Sequence, residues 1–177
     1  MLKAFRNQLN QLSLVDRDSW TQRVTSALGG RRDSGTEEDV RGLILALPDL
    51  LERVRRWYDR ADVPENFRRL HGITLTYLYH PADLVEDKGL FGYLDDAYLV
   101  GRVFVLTAQR LTRDGVALEE DVAARHTTLE RGLASARRVL PEETNRLDAL
   151  VADYLSGDLK AFRRLMDETE KLAVGKQ

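Results

Sequence analysis

The chain has 177 residues, contains no cysteine and carries a formal net charge of −2 at pH 7. A chain of this length can bury a sizeable core, whereas the lack of cysteine excludes disulfides, thiolate catalysis and cysteine-ligated zinc. The nearly neutral charge gives no general attraction to nucleic acid. We expect a cytoplasmic protein with no signal peptide and no transmembrane segment, because no stretch approaches about 18 consecutive apolar residues.

Helical spacing of apolar residues begins at residues 2–14 and resumes after each break. Ser19 opens a capping-box pattern that predicts the start of a second helix, Gly29 and Gly30 predict its end, and a polar loop follows at residues 31–35. Thr36 is the predicted N-cap of the third helix, because three acidic residues follow it and favour a helix N-terminus. We predict that this helix ends before Pro48 and that Pro48 opens the next one.

The middle of the chain holds one segment of ambiguous pattern, ITLTYLY at residues 73–79. Its alternation and β-branched residues are also typical of a strand. We interpret it as the buried end of a helix that stops at Pro81, because a lone strand would have no pairing partner and the residue before a proline disfavours helix. Residues 94–111 are apolar on nearly every side, which predicts a helix at the centre of a bundle. Further helices are predicted at about 117–139, 141–155 and 159–172.

These elements together predict an all-α bundle of about seven to nine helices. Its centre is a buried helical hairpin, formed by the helix that ends near Tyr79 and the helix that starts near Leu94. We divide the chain at residue 35, into an N-terminal helical arm or extension at 1–35 and a helical bundle at 36–177. The pattern does not indicate whether the arm packs on the bundle.

Acidic residues crowd the turn of this hairpin, and the turn resembles a known family. The YkvA-like family is a small bacterial helical domain of unknown function that shows a Pro-x-Asp-Leu-Ile-Pro-Asp turn followed by Gly-x-x-Asp-Asp. The matching residues here are Pro81, Asp83, Leu84, Asp87, Gly92, Asp95 and Asp96, and the resemblance covers about residues 47–106. Glu86 stands where the family has a second proline. The resemblance implies a helical fold and brings no established reaction with it.

The aspartates of the turn allow two interpretations. In the first they are structural caps, which accept backbone N–H groups at a helix break and oppose the dipole of the following helix. In the second, Asp83, Asp87, Asp95 and Asp96 gather oxygen ligands for Mg²⁺ or Ca²⁺, with Glu86 or His80 nearby. Asp95 and Asp96 would point about 100° apart on a helix, so both cannot easily face one ion. We favour the caps.

Other candidate residues favour structural roles. We expect His71 to be a hydrogen-bonded core residue and His126 to lie at the surface. Arginines at residues 53–69, beside Trp57 and Tyr58, could attract nucleic acid or acidic lipid. We favour a solvated face whose aromatic rings point inward, because neighbouring acidic residues would neutralise it.

No catalytic constellation is recognisable, and the helices after residue 141 carry apolar stripes. We therefore expect a non-catalytic helical interaction module that binds a protein partner, or a second copy of itself, through these amphipathic helices. The alternative is a divalent-cation-binding enzyme or sensor centred on residues 83–96. Peripheral membrane contact through the arginine face is a third hypothesis. We expect no nucleic-acid partner and no cofactor other than the Mg²⁺ or Ca²⁺ of the alternative.

Overall fold

The computed structural model describes residues 2–80, 84–85 and 89–174. Over these ranges the protein is all-α, with eight α-helices, one 3₁₀ turn and no strand, which confirms the predicted fold class. The helices are α1 (Leu2–Val15), α2 (Arg17–Ala27), α3 (Ser34–Tyr58), α4 (Glu65–Tyr77), α5 (Leu94–Arg113), α6 (Glu120–Val139), α7 (Pro141–Leu155) and α8 (Ala161–Val174), and the 3₁₀ turn is Leu90–Tyr93.

Helix α5 lies at the centre of the bundle, as its sequence predicts. It buries 14 of its 20 residues and packs against α3, α4, α6 and α7. A helix that is apolar on all sides can bury that surface only when other helices surround it. Helix α4 packs on α5 as the predicted hairpin requires, although α3 covers α5 more extensively than α4 does.

The predicted helix break at Pro48 is wrong. Helix α3 is 25 residues long and runs through Pro48 without a break. An interior proline costs a helix about 3 kcal/mol. Leu47 and Leu50, on either side of it, are fully buried, and burial of one such side chain stabilises by about 1.5–3 kcal/mol. The apolar face that α3 presents to the core therefore outweighs the local preference for a break.

Two predicted helix starts also differ from the structure. Asp33, not Thr36, is the N-cap of α3, and its carboxylate accepts a hydrogen bond from the Thr36 backbone N–H at 3.0 Å. Helix α2 begins at Arg17 with Asp16 as its N-cap, ahead of the predicted start at Ser19. The segment at residues 73–79 is helical as far as Tyr77, so the helical interpretation of ITLTYLY is confirmed up to that residue.

The first two helices pack on the rest of the chain. Leu9, Trp20 and Val24 belong to the same apolar core as the residues of α3 and α5. The Trp20 ring lies 6.0 Å from the Phe91 ring, between centroids. The boundary at residue 35 stays a prediction, but α1 and α2 share the core of the bundle.

One carboxylate joins three helices at the side of the bundle. Asp148 of α7 accepts hydrogen bonds from the Tyr98 hydroxyl at 2.7 Å and from Arg102 Nε at 3.0 Å, both on α5. Arg137 of α6 donates to the same carboxylate at 3.2 Å, and its guanidinium lies over the Tyr98 ring. The buried Tyr98 hydroxyl is thereby satisfied, and the relative positions of α5, α6 and α7 are fixed.

Candidate functional site

The acidic turn places Asp95 in the first turn of α5, almost fully buried at 1% exposure. Its Oδ2 accepts hydrogen bonds from the Tyr77 hydroxyl at 2.8 Å and from the Val85 backbone N–H at 3.3 Å. Its Oδ1 is buried and accepts no hydrogen bond from the described residues. Asp95 thus connects the end of α4, the Leu84–Val85 segment and the start of α5.

Burial dominates the electrostatics of Asp95. Loss of solvent raises the pKa of its carboxyl to about 6, although the Tyr77 hydroxyl and nearby backbone N–H groups favour the charged form and act in the opposite direction. Burial also raises the pKa of Tyr77 well above its usual value, and the neighbouring charge of Asp95 adds to that effect. The pair therefore favours a neutral tyrosine that donates to Asp95.

The four predicted metal ligands are only partly placed. Asp95 and Asp96 both lie in the first turn of α5, whereas Asp83 and Asp87 fall outside the described residues. His80, the additional candidate ligand, has its ring edge-on to Phe162 with centroids 6.1 Å apart. Within the described part of the chain, no three His, Asp or Glu side chains are grouped as a metal ion would require.

The 3₁₀ turn before α5 is anchored from the N-terminal helices. The Leu90 backbone N–H donates to the Asp16 carboxylate at 3.2 Å. Gly89 has φ of 66°, and a Cβ at this position would lie 2.1 Å from Asp16 Oδ2. Only glycine combines this backbone conformation with so close an approach, so the start of α5 depends on contact with the α1–α2 junction.

His71 is a core residue, as predicted. It is fully buried, and its Nε2 lies 2.9 Å from the Thr107 hydroxyl. Burial lowers the pKa of its ring to about 4, so the imidazole is neutral at pH 7. His126 is partly exposed and lies 3.6 Å from the Glu130 carboxylate.

The arginines of residues 53–69 are mostly paired with carboxylates. Four of the six form ion pairs, which join Arg53 to Glu119 and Asp121, Arg56 to Glu52, Arg60 to Asp62, and Arg69 to Glu65. The Trp57 ring is buried, as predicted, but Tyr58 is 46% exposed. The pairing supports the solvated-face interpretation over a surface that attracts nucleic acid or lipid.

A groove between α3, α4 and α7 is the feature that the sequence did not predict. We call it the Arg68 groove; it is lined by Tyr58, Asp59, Glu65, Arg68, Arg69, Gly72, Ile73 and Tyr154 and has a volume of about 620 Å³. The α4 residues in it recur at intervals of three and four, so they form one stripe of that helix. The stripe is visible in the sequence, but the position of Tyr154 opposite it comes from the tertiary fold.

Arg68 is the chemically distinctive residue of this groove. Its Nε is buried and makes no hydrogen bond to any described residue, and no ion pair of Arg68 is found among them. A guanidinium has five N–H donors and no acceptor, so a buried and unsatisfied Nε–H calls for an oxygen from elsewhere. Arg69, the next residue, is by contrast paired with Glu65.

The apolar stripes of the last two helices mainly complete the bundle. Leu147, Leu150, Val151, Leu165 and Met166 are buried in the core. Leu159, in the connection between α7 and α8, is 53% exposed. These stripes therefore leave little apolar surface for a partner on the described part of α7 and α8.

Within the described ranges, every helix is too short or too polar to traverse a bilayer. Comparisons of the chain with protein-family models, with curated proteins and with solved structures found no match.

Proposed function

We propose that this chain is a non-catalytic helical module that binds another protein through the Arg68 groove. The observation that supports the proposal is the partly exposed Arg68 side chain, which lines a groove open to solvent and whose buried Nε–H has no acceptor among the described residues. A buried donor without a partner costs about 1–3 kcal/mol. A ligand that supplies the acceptor recovers part of this cost, so binding is favoured at this point of the surface.

The walls of the groove have the composition of a binding surface. Tyr58 is 46% exposed and offers most of the aromatic contact area beside the arginine, whereas Tyr154 is 9% exposed and presents only an edge to the groove. Tyrosine and arginine are enriched among the residues that dominate binding energy at protein interfaces. Tyrosine side chains also lose little conformational entropy when they become ordered on binding.

The proposal can be tested with a photo-crosslinking amino acid at position 58, introduced in the cells of origin. Position 79 provides the matched control, because Tyr79 is also an exposed tyrosine and does not line the groove. We expect one discrete product from position 58 that position 79 does not give. A product of two copies of this chain would identify a homo-oligomer.

Purified components then quantify the interaction. Arg68→Ala should weaken binding of the captured protein by at least about tenfold, which corresponds to 1.4 kcal/mol. Arg55→Ala is the matched control, because Arg55 is an exposed arginine outside the groove. If position 58 gives no specific product, or if both arginine variants weaken binding equally, the proposed function is wrong.

The resemblance to the YkvA-like family remains a proposal, supported by the helical structure of the described residues between 47 and 106. Most of the Arg68 groove lies within this region, whereas Tyr154 lies outside it. As part of the same proposal we place the protein in the cytoplasm, because a chain without cysteine is compatible with a reducing compartment.

A divalent-cation site at the acidic turn is the second candidate. It is supported by the buried Oδ1 of Asp95, which has no hydrogen-bond donor among the described residues and is the type of ligand that Mg²⁺ and Ca²⁺ prefer. Thermal unfolding in EDTA, followed by titration of either cation, tests it. A saturable rise of the midpoint that Asp95→Asn abolishes would support a cation site, and an unchanged midpoint at millimolar concentration would exclude one.

A further inference from the structure

The proposed function leaves open which chemical group the Arg68 groove recognises. Starting from that function, we infer that the groove binds a single carboxylate, carried by an acidic residue between apolar residues in an extended segment of the partner. Arg68 is the counter-charge, and the rings of Tyr58 and Tyr154 hold the apolar neighbours.

The lining of the groove carries two arginines and two carboxylates. Arg69 is already neutralised by Glu65, so Arg68 is the cation that remains available in the lining. Asp59, which is exposed at the end of α3, adds a negative charge to the same lining. Asp59 and Glu65 would repel a phosphate dianion about twice as strongly as they repel a monovalent carboxylate. A monovalent carboxylate needs only one guanidinium and can pair with it through two hydrogen bonds.

The floor of the groove has no side chain at Gly72, a position that the Tyr58 ring borders. A Cβ built there would meet a single neighbour, Tyr58 Cε2, at 3.4 Å, which is ordinary contact. The absence of a side chain at this position lets a ligand backbone approach α4 closely. Because Gly72 follows Arg68 by four residues, it lies on the same face of α4, one turn further along the helix.

Three of the eight lining residues, Tyr58, Ile73 and Tyr154, contribute apolar surface beside the charged side chains. Ile73 lies next to Gly72, and the two tyrosine rings come from α3 and α7. An acidic residue flanked by polar residues would leave these surfaces exposed to water. An acidic residue flanked by leucine or a similar side chain would cover them, which adds hydrophobic stabilisation to the ion pair.

Nuclear magnetic resonance of the arginine Nε–Hε groups tests the inference directly on the full chain. The probe is an acetylated and amidated heptapeptide with one glutamate between two leucines, and the control peptide has glutamine in place of the glutamate. We expect the glutamate peptide to shift the Arg68 signal saturably and the glutamine peptide to bind at least about tenfold more weakly. Inorganic phosphate should give no saturable shift below millimolar concentration.

Three variants assign the contacts. Arg68→Lys keeps the charge but removes the Nε–H, and we expect it to weaken peptide binding several-fold. Gly72→Leu fills the floor and should abolish binding while leaving the amide spectrum of the core unchanged. Arg55→Ala should bind the peptide like the unaltered chain.

The possible results separate the inference from the proposed function. If the glutamate peptide gives no shift at millimolar concentration, or if glutamine or phosphate serves equally well, the carboxylate inference is wrong. Specific crosslinking at position 58 can still succeed in that case, and the interaction module then stands with another ligand chemistry. Peptide binding without any crosslinked product would instead leave the ligand chemistry intact and overturn the proposed function.

Discussion

Replacement of Asp95 by asparagine provides a test of how burial controls the acidic turn. In the folded protein burial raises the pKa of this carboxyl to about 6 from 3.8. The folded state therefore binds the proton more tightly than the unfolded chain does. The contribution of the protonated Asp95 carboxyl to the free energy of unfolding is greatest below pH 3.8 and is lost as the pH rises through about 6.

The expected size of the effect follows from the two pKa values. A difference of about two units corresponds to almost 3 kcal/mol when the titration is complete, of which about 2 kcal/mol is lost between pH 4 and pH 8. Asparagine keeps the shape and an acceptor oxygen for the Tyr77 hydroxyl but cannot ionise. We therefore expect the difference in the free energy of unfolding between Asp95→Asn and the unaltered protein to shift by about 2 kcal/mol in favour of the variant from pH 4 to pH 8.

The assay is urea denaturation of both proteins at pH 4, 6 and 8 in the presence of EDTA. Asp33→Asn provides a control whose stability difference should stay nearly constant between pH 4 and pH 8, because hydrogen bonds from the Thr36 backbone N–H and from Arg138 lower the pKa of Asp33 to about 2. Its contribution is present above pH 3.8 and is lost as the pH falls. A stability difference between Asp95→Asn and the unaltered protein that is constant across this range would refute the argument from burial.

Three further substitutions test how the helices are held together, each by the change in the free energy of unfolding in urea. Asp148→Ala removes the acceptor of a buried tyrosine hydroxyl and of two arginines and should cost about 1–3 kcal/mol. Gly132→Ala should destabilise the protein despite the better helix propensity of alanine, because its Cβ would lie 3.1 Å from a leucine Cβ and 3.3 Å from a backbone carbonyl. Gly89→Ala should cost at least about 1–3 kcal/mol, because its φ of 66° strains any residue with a side chain.

Matched controls accompany these substitutions. Asp167→Ala removes an exposed carboxylate of α8 and should change stability by less than about 0.5 kcal/mol. Gly42→Ala places a Cβ in open space within α3 and should stabilise by about 0.5–1 kcal/mol. If Gly132→Ala stabilises as much as Gly42→Ala does, the close approach of α3 and α6 has been misjudged.

The sequence by itself determined the helical character of the chain and the identity of its central helix. Apolar residues that recur at helical spacing can be buried only on one face of a helix, and a segment that is apolar all round must be surrounded. That local pattern sufficed for α5. The helical state of ITLTYLY followed instead from the lack of a pairing partner for a lone strand, and the structure bears it out as far as Tyr77. The local pattern also sufficed for His71, because a lone histidine on a buried face is normally a hydrogen-bonded core residue.

The tertiary structure decided the features in which distant residues compete with a local preference. Pro48 remains inside α3 because the buried face on either side of it outweighs the local break. The pKa of Asp95 depends on how far the surrounding helices exclude water, and local sequence does not encode that exclusion. The Arg68 groove forms because α7 brings Tyr154 opposite α4, and no carboxylate in the described part of the chain reaches Arg68. A pattern read along one helix cannot show which distant side chains will face it.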